Sequence, residues 1–373
     1  MAAAQAPPRP SVVARVFRAA LVAALVVAML TAGLAVLAVA GAETGGVAFG
    51  LAICLAVLPV PVYLAIVLWI DRYEPEPLPM IALTFAWGAT AACFFAIVLN
   101  TVGEAIVAEQ LGTRASEVYG SSFSAPVIEE VAKAAVLFGV YRWRRSEFNG
   151  VVDGIVYAAL VGLGFAMTEN VLYYGRGAAE EGIPGAVGTF VARGVLSPFA
   201  HPVFTAMTGI GLGIAAGSRW RGVRAVAPLA GLGAAIALHS VWNTAAGAGL
   251  FFAVYLLIMV PLFLALMGVV ALALHREGRL IAAQLRGLLP DREVEALASL
   301  RARRHARREA ARRGGRPARR AMADLQQVAA ELAFHRDQTR RGVVRADRLA
   351  QARESALVAR MAARRRELAR LGR

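Results

Sequence analysis

The chain contains 373 residues, of which 58% are hydrophobic and 17% are charged, and its 40 basic residues outnumber 25 acidic ones to give a net charge of +15. This composition excludes an ordinary soluble domain and a disordered polar chain, and it favours a multi-pass membrane protein. The charge is distributed unevenly, because residues 1–275 are electrically balanced and the whole surplus lies in residues 276–373. Residues 1–275 and residues 276–373 are therefore expected to form two structurally different parts of the chain.

Residues 1–18 are rich in proline and are predicted to form a disordered N-terminus. The apolar run at 19–42 is about 24 residues long, which exceeds the apolar core of a signal peptide, so it is predicted to be an uncleaved first span. Further apolar runs long enough to cross a bilayer lie at 46–70, 78–102, 123–141, 151–174, 187–217, 225–246 and 250–274. The run at 187–217 is too long for one straight crossing, and Pro198 and Pro202 are expected to break it. The sequence predicts an all-α, polytopic membrane protein with about eight transmembrane helices.

The short segments between these runs differ in charge. Arginines follow alternate runs, at Arg142, Arg144, Arg145, Arg219, Arg221, Arg224, Arg276 and Arg279. The intervening loops are acidic or nearly uncharged, as at Glu104 and Glu180. Because arginine-rich loops stay on the cytoplasmic side, both termini are predicted to be cytoplasmic in a multi-pass protein of the plasma membrane.

Residues 276–373 contain 26 arginines against 11 acidic residues and few apolar ones. They are predicted to form a basic helical cytoplasmic tail with a break at 314–317, with no packed core and at most a short coiled coil. Contact with anionic lipids is the favoured interpretation of such dense arginine. Nucleic acid is a less favoured partner, because no aromatic platform or groove-reading motif accompanies the arginines.

Three charged residues interrupt the apolar run at 123–141, namely Glu129, Glu130 and Lys133, and Lys133 is the only lysine of the chain. A charged side chain near the middle of a bilayer costs about 2.5 to 3.5 kcal/mol on insertion scales, so these residues need partners, water or a function. Glu129 and Lys133 are four residues apart and share a helix face. A neutralising ion pair is therefore the structural alternative to a functional role.

Other polar residues lie in three neighbouring apolar runs, at Glu169, Asn170, His201, His239 and Asn243. Counting inward at 1.5 Å per residue places Glu129 with Glu169 and the two histidines in one layer, about 8 to 14 Å from the outer boundary. Each histidine alone could be a helix-to-helix hydrogen-bonding residue, and Glu169 alone an interfacial carboxylate. Together, carboxylates and imidazoles in one layer predict a metal site or an acid–base pair for hydrolysis.

Two other functions fit intramembrane carboxylates and histidines. A proton-coupled transporter uses such chains as relays, but the sequence contains no internal duplication of the kind that transporters usually carry. A non-catalytic membrane scaffold is the other alternative.

Four segments resemble the motif regions of PrsW-family intramembrane proteases, within the CAAX prenyl protease superfamily: E-E-V-A-K at 129–133, F-A-M-T-E at 165–169, R-G-V-L-S-P-F-A-H at 193–201 and H-S-V-W-N at 239–243. D-G-I-V-Y at 153–157 also matches in character, and the resemblance covers about 120–245. It implies a transmembrane protease domain at 19–275 that cleaves membrane-anchored proteins, an anti-sigma factor being one such substrate in a site-1-type cleavage.

The resemblance implies a catalytic set of Glu129, Glu130, Glu169, His201, His239 and Asn243, supported by Lys133, Phe165 and Arg193. In a metal-dependent version, His201, His239 and Glu169 hold Zn²⁺. In a metal-free version, a glutamate and a histidine activate water, while His239 and Asn243 stabilise the oxyanion. No H-E-x-x-H motif is present, so the sequence leaves both versions open. Glu129 is the favoured base, because Lys133 can hold it ionised.

Overall fold

The computed structural model describes residues 11–144 and 148–372. Residues 1–10 of the predicted N-terminus and Arg145 of the basic loop lie outside the described residues. Within the described ranges the fold is helical and contains no β-strand, as predicted. The helices are α1 (Val12–Thr44), α2 (Gly46–Val57), α3 (Val60–Ile70), α4 (Leu78–Trp87), α5 (Cys93–Leu111), α6 (Thr113–Tyr119), α7 (Ala125–Trp143), α8 (Val151–Phe190), α9 (Ala200–Ala216), α10 (Arg221–Gly247), α11 (Phe251–Val254), α12 (Val260–Leu285), α13 (Asp291–Ala298), α14 (Leu300–Arg340) and α15 (Arg348–Leu371). Short π-helical segments occupy Gly88–Ala92, Gly120–Ser124, Val191–Leu196 and Tyr255–Met259.

The first helix begins earlier than predicted. The Oγ atom of Ser11 accepts a hydrogen bond from the backbone N–H of Ala14, which is the usual way to satisfy a free donor at a helix start. Helix α1 therefore includes residues 12–18, which the sequence predicts to be disordered.

Six segments of the described chain are long and apolar enough to cross a membrane, at Val12–Thr44, Gly46–Ile70, Leu78–Leu111, Val151–Ala216, Arg221–Gly247 and Phe251–Leu285. The predicted number of about eight is not confirmed. The predicted runs at 151–174 and 187–217 lie together in one of the six segments, Val151–Ala216. The predicted run at 123–141 is not among the six, and it contains α7, which carries three charges within its apolar sequence. The number of crossings therefore depends on how those two regions are counted.

Helix α8 is the centre of the fold, and its residues from Val152 to Ala166 are buried on all sides. Glycines allow its close contacts. A Cβ atom on Gly154 would lie 2.0 Å from the carbonyl oxygen of Gly209 in α9, and one on Gly164 would lie 2.1 Å from that of Phe85 in α4. Close backbone approach at small residues is the usual basis of helix packing in membranes.

The predicted break at the two prolines is present. The π-helical segment Val191–Leu196 is followed by a turn containing Pro198, and α9 begins at Ala200. Pro202 lies in the first turn of α9, where its missing N–H costs no helical hydrogen bond. The chain reverses earlier, at Gly182, where φ is +70°, so that α9 packs antiparallel against the first part of α8, with Gly209 beside Gly154.

The tail is more ordered than predicted. Helices α13, α14 and α15 pack on one another and on the end of α12, and the buried tail residues include Leu297, Leu325, Val328, Leu332, Leu357 and Met361. The prediction of no packed core is wrong. Alanines such as Ala329 and Ala330 complete the buried face of α14, so few large apolar residues are needed to fill it. The predicted break is confirmed, because Gly315 has φ of +66° within α14.

Tyr73, in the loop after α3, joins the membrane part to the tail. Its hydroxyl donates a 2.7 Å hydrogen bond to the carbonyl of Ala298, and its own carbonyl accepts one from Nη2 of Arg303 at 3.0 Å. Tyr73, Leu274 and Leu297 belong to one continuous cluster of buried side chains. The tail is thus docked on the membrane-spanning helices by both apolar and polar contacts.

Candidate functional site

The three charged residues of α7 form one buried group. The Nζ atom of Lys133 lies 3.2 Å from Oε2 of Glu129 and 2.8 Å from Oε1 of Glu130. Lys133 and Glu130 are completely buried, and Glu129 is 6% exposed. The ion pair expected between Glu129 and Lys133 is present, but it is one of two, because the long lysine side chain ends between both carboxylates. One ammonium therefore balances one of two adjacent negative charges.

Glu130 connects three helices. Its Oε1 atom lies 3.1 Å from Nδ1 of His239 in α10, and its Oε2 atom accepts a 3.0 Å hydrogen bond from the hydroxyl of Thr205 in α9. Since Oε1 also accepts a hydrogen bond from Lys133, both carboxylate oxygens of Glu130 have partners. Glu129 differs, since no described residue donates a hydrogen bond to its Oε1 atom. Glu129 is therefore the one of the pair that has a free acceptor.

His201 lies at the start of α9, where Gly162 of α8 lets its backbone approach, since a Cβ there would lie 2.8 Å from the His201 carbonyl carbon. Its Nδ1 atom is 3.0 Å from Nζ of Lys133, and its Nε2 atom is 2.8 Å from Oε2 of Glu169. Because an ammonium only donates, Nδ1 must accept, so Nε2 carries the ring proton and donates to Glu169. The two neighbours thus select one tautomer.

Glu169 is held from the other side by Arg193 of the π-helical segment. The Nη2 atom of Arg193 donates to Oε2 of Glu169, and its Nε atom donates to Oδ1 of Asn170 at 2.8 Å. The Arg193 guanidinium also lies 3.8 Å over the ring of Tyr173. The π-helical segment before α9 thereby places a cation against the carboxylate that orients His201.

Aromatic rings pack around the charged group. The ammonium of Lys133 lies 3.8 Å over the ring of Phe165, and that ring is 5.2 Å from the ring of His201. Phe204 stacks on His239 with ring centroids 5.0 Å apart. The low polarity of these rings strengthens every charge interaction among the neighbouring side chains.

The structure brings together eight of the nine residues singled out from the sequence and places Asn243 elsewhere. The Nδ2 atom of Asn243 donates a 3.1 Å hydrogen bond to the carbonyl of Ser121, in the π-helical segment before α7. None of its described hydrogen bonds reaches the charged group. Asn243 thus ties α10 to the start of α7, although it shares a helix turn with His239.

Thr205 and Phe204 were missed by the sequence analysis. Thr205 is fully buried and donates to Glu130, and it lies four residues after His201, on the same face of α9. That i,i+4 spacing was visible in the sequence. A single threonine in an apolar helix is common enough, however, that spacing alone does not distinguish it from core packing.

A metal ion could be held by Glu129, His201 and His239, since one ligand atom from each lies within 4.8 Å of the other two. Two imidazoles and one carboxylate are a common donor set for catalytic zinc, and the contact of Glu130 with Nδ1 of His239 has the form usual behind a ligating histidine. The residues fit a metal in type and number. The carboxylate that lies with both histidines is Glu129, whereas the sequence-based hypothesis named Glu169.

The family model described as PrsW family intramembrane metalloprotease matches residues 76–266. Among curated proteins, the chain is similar to the Protease PrsW of Geobacillus kaustophilus, with 33% identity over 143 residues that cover 38% of this chain and 57% of the relative. The Protease PrsW of Clostridioides difficile is 28% identical over 155 residues, covering 42% of this chain and 62% of that protein. The matched region therefore spans somewhat more than half the length of these two relatives. No solved structure matches the chain.

Proposed function

Because this chain belongs to the PrsW family of intramembrane metalloproteases, whose family model covers about half of it, we propose that it is an intramembrane endopeptidase. It hydrolyses peptide bonds of membrane-anchored proteins within or beside the bilayer. The observation that carries this proposal is the buried group of Glu129, His201 and His239, which joins a carboxylate with a free oxygen to two oriented imidazoles. Intramembrane charges are costly and are retained chiefly for function.

In the metal-dependent version, Glu129, His201 and His239 hold the ion, and we propose zinc because of the donor set. When bound, the ion would act as a Lewis acid and would lower the pKa of a water molecule at the site. Glu130 keeps the proton of His239 on Nδ1 and so leaves Nε2 as the ligand atom. Glu169 has an oxygen, Oε1, that accepts no hydrogen bond from the described residues, so it is the carboxylate available to take up a proton.

In the metal-free version, Glu129 is the general base. Its Oε2 atom is paired with Lys133, and its Oε1 atom accepts the proton of an attacking water. The Nε2 atom of His239 lies 3.8 Å from Oε2 of Glu129 and can donate to the carbonyl oxygen on which charge develops, while the positive charge of Lys133 lies nearby. The contact of Lys133 with His201 favours this version, because a cation already lies between two of the three ligating residues.

The substrate is proposed from the resemblance alone. A single-span membrane protein, such as an anti-sigma factor cleaved at a first site, is the substrate class that we favour. The bilayer is the medium in which enzyme and substrate meet, because most apolar side chains of α1, and Leu264 and Leu272 of α12, are exposed on the outside of the protein.

We propose further that the chain lies in the plasma membrane with both termini in the cytoplasm. The arginines at the end of α7, between α9 and α10, and in the second half of α12 support this orientation. The chemistry is assigned to residues 19–275, because the buried group draws no side chain from the tail at 276–373. Nucleic acid is not expected to be a partner of that tail.

The test is single-turnover cleavage of a detergent-solubilised membrane substrate, combined with elemental analysis of the purified protein. Glu129→Gln keeps the side-chain size and removes the carboxylate, so cleavage should fall by about 10²- to 10⁴-fold. Bound metal should fall with it only if the metal-dependent version holds. Glu180→Gln, at an exposed position, is the matched control and should cleave normally.

Near-normal cleavage by both Glu129→Gln and Glu130→Gln would disprove the site. Cleavage by protein shown to be free of metal would remove the metal-dependent version and leave the glutamate–histidine one. Failure of the wild type to cleave any membrane substrate with any added divalent metal would favour a scaffold.

A further inference from the structure

A large cleft lies where the membrane part meets the tail. It has a volume of about 1120 Å³ and is bounded by the loop after α3, the second half of α12 and the start of α14. Its rim carries Arg72, Arg279, Arg286, Arg301 and Arg304, and we call it the arginine cleft. Its floor is apolar and buried, formed by Leu274, Val294 and Ala298 with the ring of Tyr73.

The arginine cleft has an unbalanced positive charge. Its five arginines face two carboxylates, those of Asp291 and Glu295, which leaves an excess of +3. None of the five arginines forms an ion pair with a described residue. Burial and the nearby Arg304 lower the pKa of Arg72, and the buried Nε atom of Arg72 has no hydrogen-bond partner among the described residues. Like charges held together with an unsatisfied donor favour an anionic ligand.

The arginine cleft is continuous with the membrane-facing surface. Leu264, Val269 and Leu272 of α12 are exposed, and the apolar run of this helix ends beside Leu274 on the cleft floor. On the other side, the guanidinium of Arg72 lies 3.3 Å over the ring of Trp69, which is 58% exposed. Tryptophan and arginine at the end of an apolar helix are typical of the boundary between hydrocarbon and headgroups.

We propose that the arginine cleft is a binding site for the phosphate group of an anionic phospholipid. The phosphate lies among Arg72, Arg301 and Arg304, and the acyl chains follow the exposed apolar face of α12. Basic pockets beside transmembrane helices are suited to such headgroups. A free phosphate would use the same arginines but would leave the apolar face uncovered, and the phosphates of a nucleic acid would likewise leave the apolar face of α12 without a partner.

The experiment measures lipid binding by full-length protein in neutral detergent, with native mass spectrometry of added phosphatidylglycerol or phosphatidylcholine. The wild type should retain phosphatidylglycerol in preference to phosphatidylcholine. The double variant Arg72→Gln/Arg304→Gln should weaken phosphatidylglycerol binding roughly 20- to 30-fold. This is the loss in affinity expected when two basic residues that attract an anionic headgroup are removed. Arg366→Gln/Arg370→Gln removes the same charge from exposed positions of α15 and should bind as the wild type does.

Equal weakening in both double variants, or no preference for phosphatidylglycerol in the wild type, would overturn the proposal. Tighter binding of glycerol phosphate or of a single-stranded oligonucleotide would do the same, since it would assign the arginines to another ligand. Photo-crosslinking of a diazirine phosphatidylglycerol to the wild type needs no variant, and its adducts should lie within 271–279 and 299–304. Adducts confined to other segments would contradict the site. No substrate is present in these measurements, so their outcome is independent of the proposed peptidase activity.

Discussion

The Nζ atom of Lys133 lies 3.0 Å from Nδ1 of His201, although the two residues are 68 positions apart in the sequence. The same ammonium is bound to both glutamates of α7. An ammonium has three hydrogens to donate and no acceptor, and the three contacts use all of them. Nδ1 of His201 must therefore be the acceptor in its contact with Lys133. Lys133 thus holds the glutamates of α7 and His201 of α9 together through its positive charge, as a bound metal cation would.

Replacing Lys133 by methionine should destabilise the protein and abolish cleavage. The change leaves two buried carboxylates without their cation, and removing one partner of a buried pair costs about 3 to 5 kcal/mol. Thermal unfolding in detergent measures the first effect, and single-turnover cleavage measures the second. Lys133→Arg should not restore activity, because the site is completely buried and a guanidinium is larger and planar.

The control is Arg176→Met, which removes an exposed pair with Glu43 and should cost less than about 1 kcal/mol. A Lys133→Met protein as stable and active as that control would show that the contacts of Lys133 contribute little.

Arg193→Gln should reduce cleavage by about 10- to 100-fold with a smaller effect on folding. Arg193 is partly exposed and acts through Glu169, whose contact with Nε2 of His201 sets the ring orientation. Loss of partners behind an active-site histidine typically has this magnitude. Single-turnover rates across pH are the measurement, and Arg176→Gln is the matched control. Unchanged rates at every pH would contradict a positioning role for Arg193.

Gly162→Ala should disturb the site through packing alone. The added methyl group would lie 2.7 Å from the backbone nitrogen of Pro202, so α9 must move away from α8 and take His201 with it. Overpacking of this kind costs about 1 to 3 kcal/mol. Unfolding temperature and cleavage should both decrease. Gly268→Ala meets no atom within 4 Å in α12, and equal losses in the two variants would contradict a specific contact.

The stability of the folded protein should decrease as pH rises from 5 to 8. Burial, and then the nearby carboxylate of Asp153, raise the pKa of Asp71 to about 7, although its bond with the backbone amide of Glu76 opposes this. Since the folded pKa lies above the unfolded value, the folded state binds more protons in this range. One such group contributes a slope of at most about 1.4 kcal/mol per pH unit.

Asp71→Asn retains an acceptor for the amide of Glu76 and removes the titration, so its unfolding temperature should change less with pH. Burial raises the pKa of Glu76 to about 11, so folded Glu76 also holds a proton that the unfolded chain releases, and it adds a slope of the same sign that Asp71→Asn leaves in place. Glu180→Gln should keep the slope of the wild type. A slope that is identical in all three proteins would assign the pH dependence to other groups.

The amino-acid sequence by itself determined the class of the protein and the location of its polar segments. Composition identified a helical membrane protein, because a chain with long apolar runs can satisfy its backbone in lipid only as helices. The breaks at Pro198 and at 314–317 were also evident, since proline and glycine act on the local backbone. Motif resemblance identified the family that the comparison with known proteins then showed.

Only the tertiary structure decided which side chains meet. Glu129, His201 and His239 come from three helices, and their distances depend on helix rotation and rotamers that spacing along one helix does not define. The same reason explains why the contact of Asn243 with Ser121 and that of Thr205 with Glu130 are not predictable from the sequence. The packing of the tail was decided in the same way, because its leucines and alanines form a core only against the end of α12 and the loop that carries Tyr73.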